Sequence, residues 1–327
     1  FLQIKKDKFK VAAKIKLTNN YNSILKTPNL IGQAIMKISK SLFRLKPDVF
    51  LVNADRFETF AAAVASSQLG IPTFHVEGGD ITEGGSLDDN IRHAISKLSH
   101  IHFVTNDLSY NNLISLGEEK WRIYNVGLPI NDTIKKSKFL SLNNLKSKFN
   151  FDIKKPLFIF TYHSLTTQPQ LAKEQVQTIL KSISYLIKEY NCKIIASYPN
   201  NDVGSHDIIN ELKRFNKTNK NFSLHKSLGN HVYHSLLNLN KKMSVIVMGN
   251  SSSGIKEAIA FKCPVINIGS RQNGRLKPKN VFDTKCNKIE IISNIEKVLF
   301  DKTLKRKLQK FKNPYYKKDT GKKITQI

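Results

Sequence analysis

From position 49 onward the chain alternates two patterns: short runs of apolar, often β-branched residues, and longer segments whose apolar positions recur every three or four residues. The first pattern suits a strand buried on both faces and the second an amphipathic helix. Their alternation predicts parallel sheets flanked by helices. In the first half the strands fall at 49–52, 72–76, 101–104 and 122–126, with helices at 57–69, 88–98 and 108–116. In the second half strands are expected at 157–161, 193–197, 222–225, 244–248 and 265–268, with helices at 170–190, 205–215, 232–240 and 255–261. The lysine- and asparagine-rich stretch 132–149, punctuated by Pro129 and Pro156, reads as a domain junction. The fold class is therefore α/β, with one domain over 1–150 and a second over 151–327. Ligands of such folds bind at the carboxyl ends of the strands, so chemistry is expected in the cleft between the domains.

Composition narrows the function classes. With 327 residues, 40% of them hydrophobic, the chain has enough apolar material for two cores and is not a disordered protein. No run approaches the roughly 20 apolar residues of a membrane helix, so no membrane partner is expected. Cys192, Cys263 and Cys286 lie far apart and without metal-ligand spacing, which argues against a disulfide framework and suits a reducing cytoplasm. The chain opens Phe1-Leu2-Gln3, with neither methionine nor signal-peptide pattern, and reads as lacking its start. The formal charge of +28 raises the possibility of nucleic-acid binding. The lysines are spread along the whole chain, however, and no aromatic-interleaved basic motif or zinc finger accompanies them. They read as a solvated surface that concentrates anionic small molecules, and no nucleic-acid partner is expected.

The sharpest local motif is Gly249-Asn250-Ser251-Ser252-Ser253-Gly254-Ile255-Lys256-Glu257, where a strand enters a Gly/Ser loop that opens a helix. Backbone N–H groups at a helix start, the dipole and three hydroxyls suit a phosphate. A single capping serine is the commoner reason for Ser at such a place, but three exceed one cap. The loop lacks the Gly-Lys-Ser/Thr ending of a P-loop, and no GxGxxG occurs. Glu257 lies one turn inside the helix, where a carboxylate either accepts from a ribose diol or simply favours the dipole. Arg271 and Arg275 follow the strand 265–268, placed either to neutralise a diphosphate or as solvated loop arginines.

Acids concentrate in the first half. Asp55, in Asp55-Arg56-Phe57-Glu58, has the spacing of a capping box. Glu77 follows an apolar strand and precedes Gly78-Gly79, so its carboxylate should emerge at a sheet's carboxyl edge. Asp88 and Asp89 begin a helix that also carries Arg92 and His93. His163 ends the first strand of the second domain and should face the cleft, whereas His100 and His102 look like packing or surface positions. No HExxH, CxxC or His/Asp cluster supports a metal, and no cofactor is expected.

Six motifs occur in order: Asp55-Arg56-x-Glu58; His75-Val76-Glu77-Gly78-Gly79; Asp88-Asp89-x-Ile91-Arg92-His93 continuing to Ser99-His100; Tyr162-His163; Gly249-Asn250-Ser251-Ser252-Ser253-Gly254-Ile255; and Asn267-Ile268-Gly269-x-Arg271-Gln272-x-Gly274-Arg275. Together they resemble the UDP-N-acetylglucosamine 2-epimerase family, in particular its hydrolysing branch, which releases N-acetylmannosamine for sialic acid synthesis. The resemblance implies two Rossmann-like domains in a GT-B-like arrangement, a UDP-sugar in the interdomain cleft, and a homo-oligomer, dimer or tetramer. It implies that Asp55, Glu77, Asp88 and Asp89 include the acid/base groups and that His163 contacts the diphosphate and sugar. Ser251, Ser252, Ser253, Gly254, Glu257 and Arg271 would hold the diphosphate and ribose. The chain departs from the family pattern in Ala54, where Gly is usual before Asp-Arg, in Ser164, where Pro is usual, and in Lys262-Cys263-Pro264 for Gly-x-Pro. The family's first β–α unit is also expected to be missing from the domain over 1–150.

The implied reaction expels UDP from C1, removes the C2 proton to give a 2-acetamidoglucal, and adds water to yield N-acetylmannosamine. Paired acids suit its two proton transfers. Rivals are a hydrolysing 2-epimerase for a UDP-2,4-diacetamido-2,4,6-trideoxyhexose of legionaminic acid synthesis, and a GT-B glycosyltransferase. The acid cluster argues against the latter.

Overall fold

A computed structural model describes residues 4–5, 7–18, 25–82 and 87–327. The chain forms two compact units, the first from the described residues up to Ile81 together with Leu87–Gly127, the second from Thr82 and Leu128–Ile327.

The first unit begins with the amphipathic helix α1 (Lys26–Leu45), followed by β1 (Phe50–Asn53), α2 (Phe57–Gln68), β2 (Thr73–Val76), α3 (Leu87–Leu98), β3 (Ile101–Val104), α4 (Asp107–Ser115) and β4 (Ile123–Asn125). Its four strands are parallel in the sequential order β1-β2-β3-β4. Val52, Ala63 and Ile95 join β1, α2 and α3 in one apolar cluster, while Val104, Leu113 and Ile123 join β3, α4 and β4 in another. The alanines of α2 let it sit close to its neighbours, with Ala61, Ala63 and Ala65 all buried.

The second unit opens with α5 (Ile130–Lys136) and α6 (Leu142–Phe149), then β5 (Leu157–Thr161), α7 (Ala172–Tyr190), β6 (Lys193–Ser197), α8 (Ser205–Thr218) and β7 (Phe222–His225). It continues with α9 (Gly229–Asn238), β8 (Val245–Gly249), α10 (Ser252–Lys256), β9 (Val265–Ile268), β10 (Val281–Thr284), α11 (Lys288–Phe300), α12 (Lys302–Lys310) and α13 (Thr320–Gln326). Six parallel strands run in the order β10-β9-β8-β5-β6-β7. Side chains alternate cleanly between two cores: Phe158, Phe160, Ile246 and Met248 enter one, Leu157, Ile159, Val245 and Val247 the other. This burial of both faces is why β5 and β8 read as continuous apolar runs.

The units divide at Gly127/Leu128 rather than at 150/151. Polar composition marked 132–149 as a junction, but Leu145, Phe149 and Phe151 are buried in the second unit's core. The strand order also fixes where ligands can bind. From β5 the chain winds outward to β7, then returns to β8 on the other side, so β5 and β8 flank a topological switch point. Thr161 and Gly249, the last residues of these strands, stand in register there.

Candidate functional site

In the first unit the carboxyl ends of β1 and β2 and the start of α3 gather charge around one guanidinium. Arg92 is 1% exposed. Its Nη2 and Nε donate to Asp55 Oδ2, the latter at 3.1 Å, and Nη1 donates to Asp89 Oδ1 and to the Asp80 carbonyl at 2.9 Å. Burial works against its charge, but Asp55, Asp80 and Asp89 outweigh that and raise its pKa further. Asp55 does not cap α2: Arg56 occupies the N-cap without a side-chain cap bond, and Glu58 pairs with Arg56 at 3.2 Å. The capping-box spacing is thus present without its bonds, because Arg92 holds Asp55.

The turn that delivers Asp55 is itself strained and braced. Ala54 has φ +63°, in the left-handed region where a side chain costs about 1–2 kcal/mol. Its carbonyl accepts from His75 Nε2 at 3.0 Å. His75 is fully buried, and desolvation brings its pKa down to about 4, so the ring is neutral at physiological pH. Glu77 lies immediately beyond β2, half-buried, at φ +68°. Left-handed non-glycine residues of this kind concentrate at functional sites. Nearby, a Cβ on Gly79 would stand 2.2 Å from the Ser109 carbonyl oxygen, which explains the glycine there. Asp88 is half-buried beside the buried Asp89 in the first turn of α3.

In the second unit the switch point is tied by an amide. Asn250, 1% exposed, accepts from the His163 N–H at 2.7 Å and donates to the His163 carbonyl at 2.8 Å. Its own carbonyl accepts from Gln272 Nε2 at 2.8 Å and Arg271 Nη1 at 3.3 Å. One residue thereby joins the ends of β5 and β8 to the loop after β9. Gly249 makes this approach possible: at φ +124° an added Cβ would lie 1.9 Å from the Thr161 carbonyl oxygen. His163 Nδ1 accepts from the Asn200 N–H at 3.1 Å, so the neutral ring carries its hydrogen on Nε2 as a donor. Burial, and then the charge of Arg271, lower its pKa to about 3.

The serine loop is similar to the expectation in position but not in length. The helix at its end is five residues, Ser252–Lys256, followed by a 3-10 turn at Ala258–Phe261, so the dipole is short and the hydroxyls carry more of any anion binding. Ser251 stands at the N-cap without a cap bond; its Oγ lies 3.0 Å from Ser253 Oγ. Gly254 is buried and within 3.1 Å of Val265 Cγ1 for any added Cβ, whereas Ser251, Ser252 and Ser253 are half-buried. Glu257 Oε2 lies 2.6 Å from His234 Nε2. The structure therefore groups Asp55 and Asp89 in one cluster, with Glu77 and Asp88 on the segments beside it. In the other it groups His163 and Arg271 about Asn250, which opens the serine loop. His100 is exposed and accepts from the Thr73 N–H at 3.1 Å, while the buried His102 lies 3.1 Å from Glu118 Oε2. Among the described residues no group of three or more His, Cys, Asp and Glu is arranged for a metal, and no helix is long and apolar enough to cross a membrane.

Asn250, His75, Asp80 and His234 did not emerge from sequence as participants. Asn250 had a usable signal, its place between the strand-ending glycine and three serines. The other three depend on partners that no spacing announces.

Comparison with known proteins gives a consistent picture. The family model for UDP-N-acetylglucosamine 2-epimerase matches residues 1–327. A GDP/UDP-N,N'-diacetylbacillosamine 2-epimerase (hydrolyzing) of Campylobacter jejuni is 35% identical over 292 residues, 89% of this chain and 73% of that protein. A UDP-N-acetylglucosamine 2-epimerase of Neisseria meningitidis is 32% identical over 255 residues, 78% of this chain and 64% of that one. Among solved structures, UDP-GlcNAc 2-epimerase from Neisseria meningitidis bound to UDP-GlcNAc aligns with a TM-score of 0.82 at 20% identity, covering 99% of this chain and 86% of the other. That fold, and the motifs now seen on two parallel α/β units, lead to one assignment: the chain belongs to the UDP-N-acetylglucosamine 2-epimerase family.

Proposed function

We propose that this protein is a hydrolysing 2-epimerase that expels UDP from a UDP-activated 2-acetamido sugar and releases the free sugar with C2 inverted. The observation that carries the reading is the gathering of carboxylates in the first unit, Asp55 and Asp89 on Arg92 with Glu77 on the turn just beyond β2, which simple UDP binding does not need. Ser251, Ser252, Ser253 and Arg271 stabilise the departing diphosphate, and Glu257 accepts from the ribose hydroxyls. His163, held neutral with its hydrogen on Nε2, donates to an anionic oxygen of the diphosphate without adding charge. As the C1–O bond breaks, oxocarbenium character acidifies C2–H. Glu77 then takes that proton, leaving a 2-acetamidoglucal. Asp55 and Asp89 share Arg92 and form the fixed acidic wall of the site, with Asp88 at its rim. Water adds across the double bond: its oxygen goes to C1, and a proton goes to C2 from the opposite face. The atoms balance as UDP-sugar plus water giving UDP and the C2 epimer, with no redox step.

For the sugar, two relatives named as diacetylbacillosamine 2-epimerases, from Campylobacter jejuni and Legionella pneumophila, support a 2,4-diacetamido-2,4,6-trideoxy substrate. UDP-N-acetylglucosamine, with N-acetylmannosamine as product, is the second reading, supported by the relative from Neisseria meningitidis. Incubating the protein with each UDP-sugar in D₂O and following the products by NMR tests both. Expected are UDP and a free sugar of manno configuration with deuterium at C2, formed faster from the diacetamido substrate. A free sugar of unchanged configuration that retains protium at C2 would refute elimination.

A further inference from the structure

We propose that His234 is a positioning residue for nucleotide binding: it holds Glu257 in the one orientation that can grip the ribose of a uridine nucleotide. The proposal rests on the reading of Glu257 as the ribose ligand. His234 lies on α9 and Glu257 just beyond α10, so their approach joins two elements of the second unit 23 residues apart in sequence. The Nε2–Oε2 separation is 2.6 Å, and an ionised carboxylate only accepts, so Nε2 carries the hydrogen. The ring is 2% exposed, against 21% for the Glu257 side chain. His234 is thus fixed from behind while the carboxylate reaches partly into the open. Two aromatic neighbours set the plane of the imidazole: the Phe261 ring at 5.7 Å and 30°, and the Tyr233 ring at 5.8 Å and 50°. A glutamate retains three side-chain torsions. Engaging one oxygen from a packed ring removes much of that freedom before the nucleotide arrives, which is preorganisation. The hydrogen bond engages Oε2, and Oε1 of the part-exposed carboxylate is the acceptor we assign to the diol.

The test compares UDP with 2′-deoxy-UDP by titration calorimetry in wild type, His234→Leu, His234→Gln and Glu257→Gln. Wild type should prefer UDP about tenfold or more, the scale of a hydrogen bond to a charged group. His234→Leu should lose most of that preference by weakening UDP while leaving 2′-deoxy-UDP nearly unchanged. His234→Gln, whose amide N–H can replace Nε2–H, should restore it. In the Glu257→Gln background, adding His234→Leu should change UDP affinity less than twofold. Wild type showing no preference for UDP would refute the ribose role of Glu257 itself. A preference in wild type that survives in His234→Leu would overturn the positioning role. Equal weakening of both nucleotides, unrelieved in His234→Gln, would reduce His234 to packing and overturn the proposal as well.

Discussion

In the first unit a buried guanidinium gathers Asp55, Asp89 and the Asp80 carbonyl, whereas in the second a neutral amide, Asn250, ties His163, Arg271 and Gln272 together. The first arrangement is ionic and made by side chains; its members persist because each charge answers another in a desolvated place. The second is made largely of backbone groups, and its geometry requires a glycine at the end of β8. Removing a single charge should therefore injure the first unit most, and adding a single carbon the second. Two ways of holding polar groups in a desolvated place are thereby separated. In the first unit carboxylates are held by a counter-charge. In the second the groups about Asn250 are neutral or cationic, with a histidine that burial prevents from titrating near neutral pH.

The largest effect should come from Arg92→Leu, which leaves Asp55 and Asp89 facing each other without their counter-ion. Breaking a buried pair this way costs about 3–5 kcal/mol, read as a fall in denaturant midpoint at pH 7. If the loss stays below ~1 kcal/mol, the ionic account of the first unit fails. Gly249→Ala comes next. The added Cβ meets a carbonyl oxygen and the φ is unfavourable for any L side chain, so about 2–4 kcal/mol should be lost, with UDP binding impaired. A Gly249→Ala protein that melts and binds UDP like wild type would show that Asn250 does not need this approach.

The two units also share a buried neutral histidine, which allows a like-for-like test. His75 has a folded pKa of about 4 and His163 of about 3, both below the ordinary 6.5. Each therefore contributes stability that is fully present above pH 6.5. It is lost as pH falls toward the folded value, because only the unfolded chain takes the proton. The slope is up to about 1.4 kcal/mol per pH unit per group. Stability measured by denaturation from pH 7 to 4 should fall less steeply in His163→Asn than in wild type; an unchanged slope would mean that His163 titrates normally when folded. The smallest effect is a gain. Ala54→Gly relieves the left-handed strain before Asp55 at the expense of unfolded-chain entropy, so a net stabilisation of up to about 1 kcal/mol should appear as a higher Tm. A lower Tm would mean that the alanine methyl packs usefully in that turn.

Much of the second unit was legible in its residues. Leu157–Thr161, Lys193–Ser197, Phe222–His225 and Val265–Ile268 form the strands at the expected positions; in the first, second and fourth, burial on both faces leaves a largely apolar run, whereas Phe222–His225 alternates apolar and polar residues. Helix α1 lies before the strand–helix alternation begins, and its apolar stripe is blurred by Met36 and Phe43, which remain exposed. Strand β10 escaped because a four-residue edge strand with Asp283 exposed has no distinctive period. The polar stretch 132–149 holds most of α5 and all of α6, where only Leu145 and Phe149 among the apolar residues are fully buried, too few to mark a core segment by pattern. At the site, the six ordered motifs identified the family, and the chain's chemistry-bearing residue types were visible in them. The capping-box spacing at Asp55 pointed to a local partner that Asp55 does not use.

The sequence by itself determined the alternation of strand and helix, the two parallel α/β units, and the loops at strand ends where the acids and serines fall. These are properties of neighbouring residues: whether side chains alternate, where glycine interrupts, where a charge follows an apolar run. Only the tertiary structure decided that Asp55 answers Arg92, 37 residues away, and that Asn250 clasps His163, 87 residues away. Those pairings are set by which strands lie side by side and in what register. A carboxylate has the same local sequence whether it caps a helix or meets a guanidinium from another one, and the lower free energy of the buried ion pair is realised only once β1 and α3 are packed together.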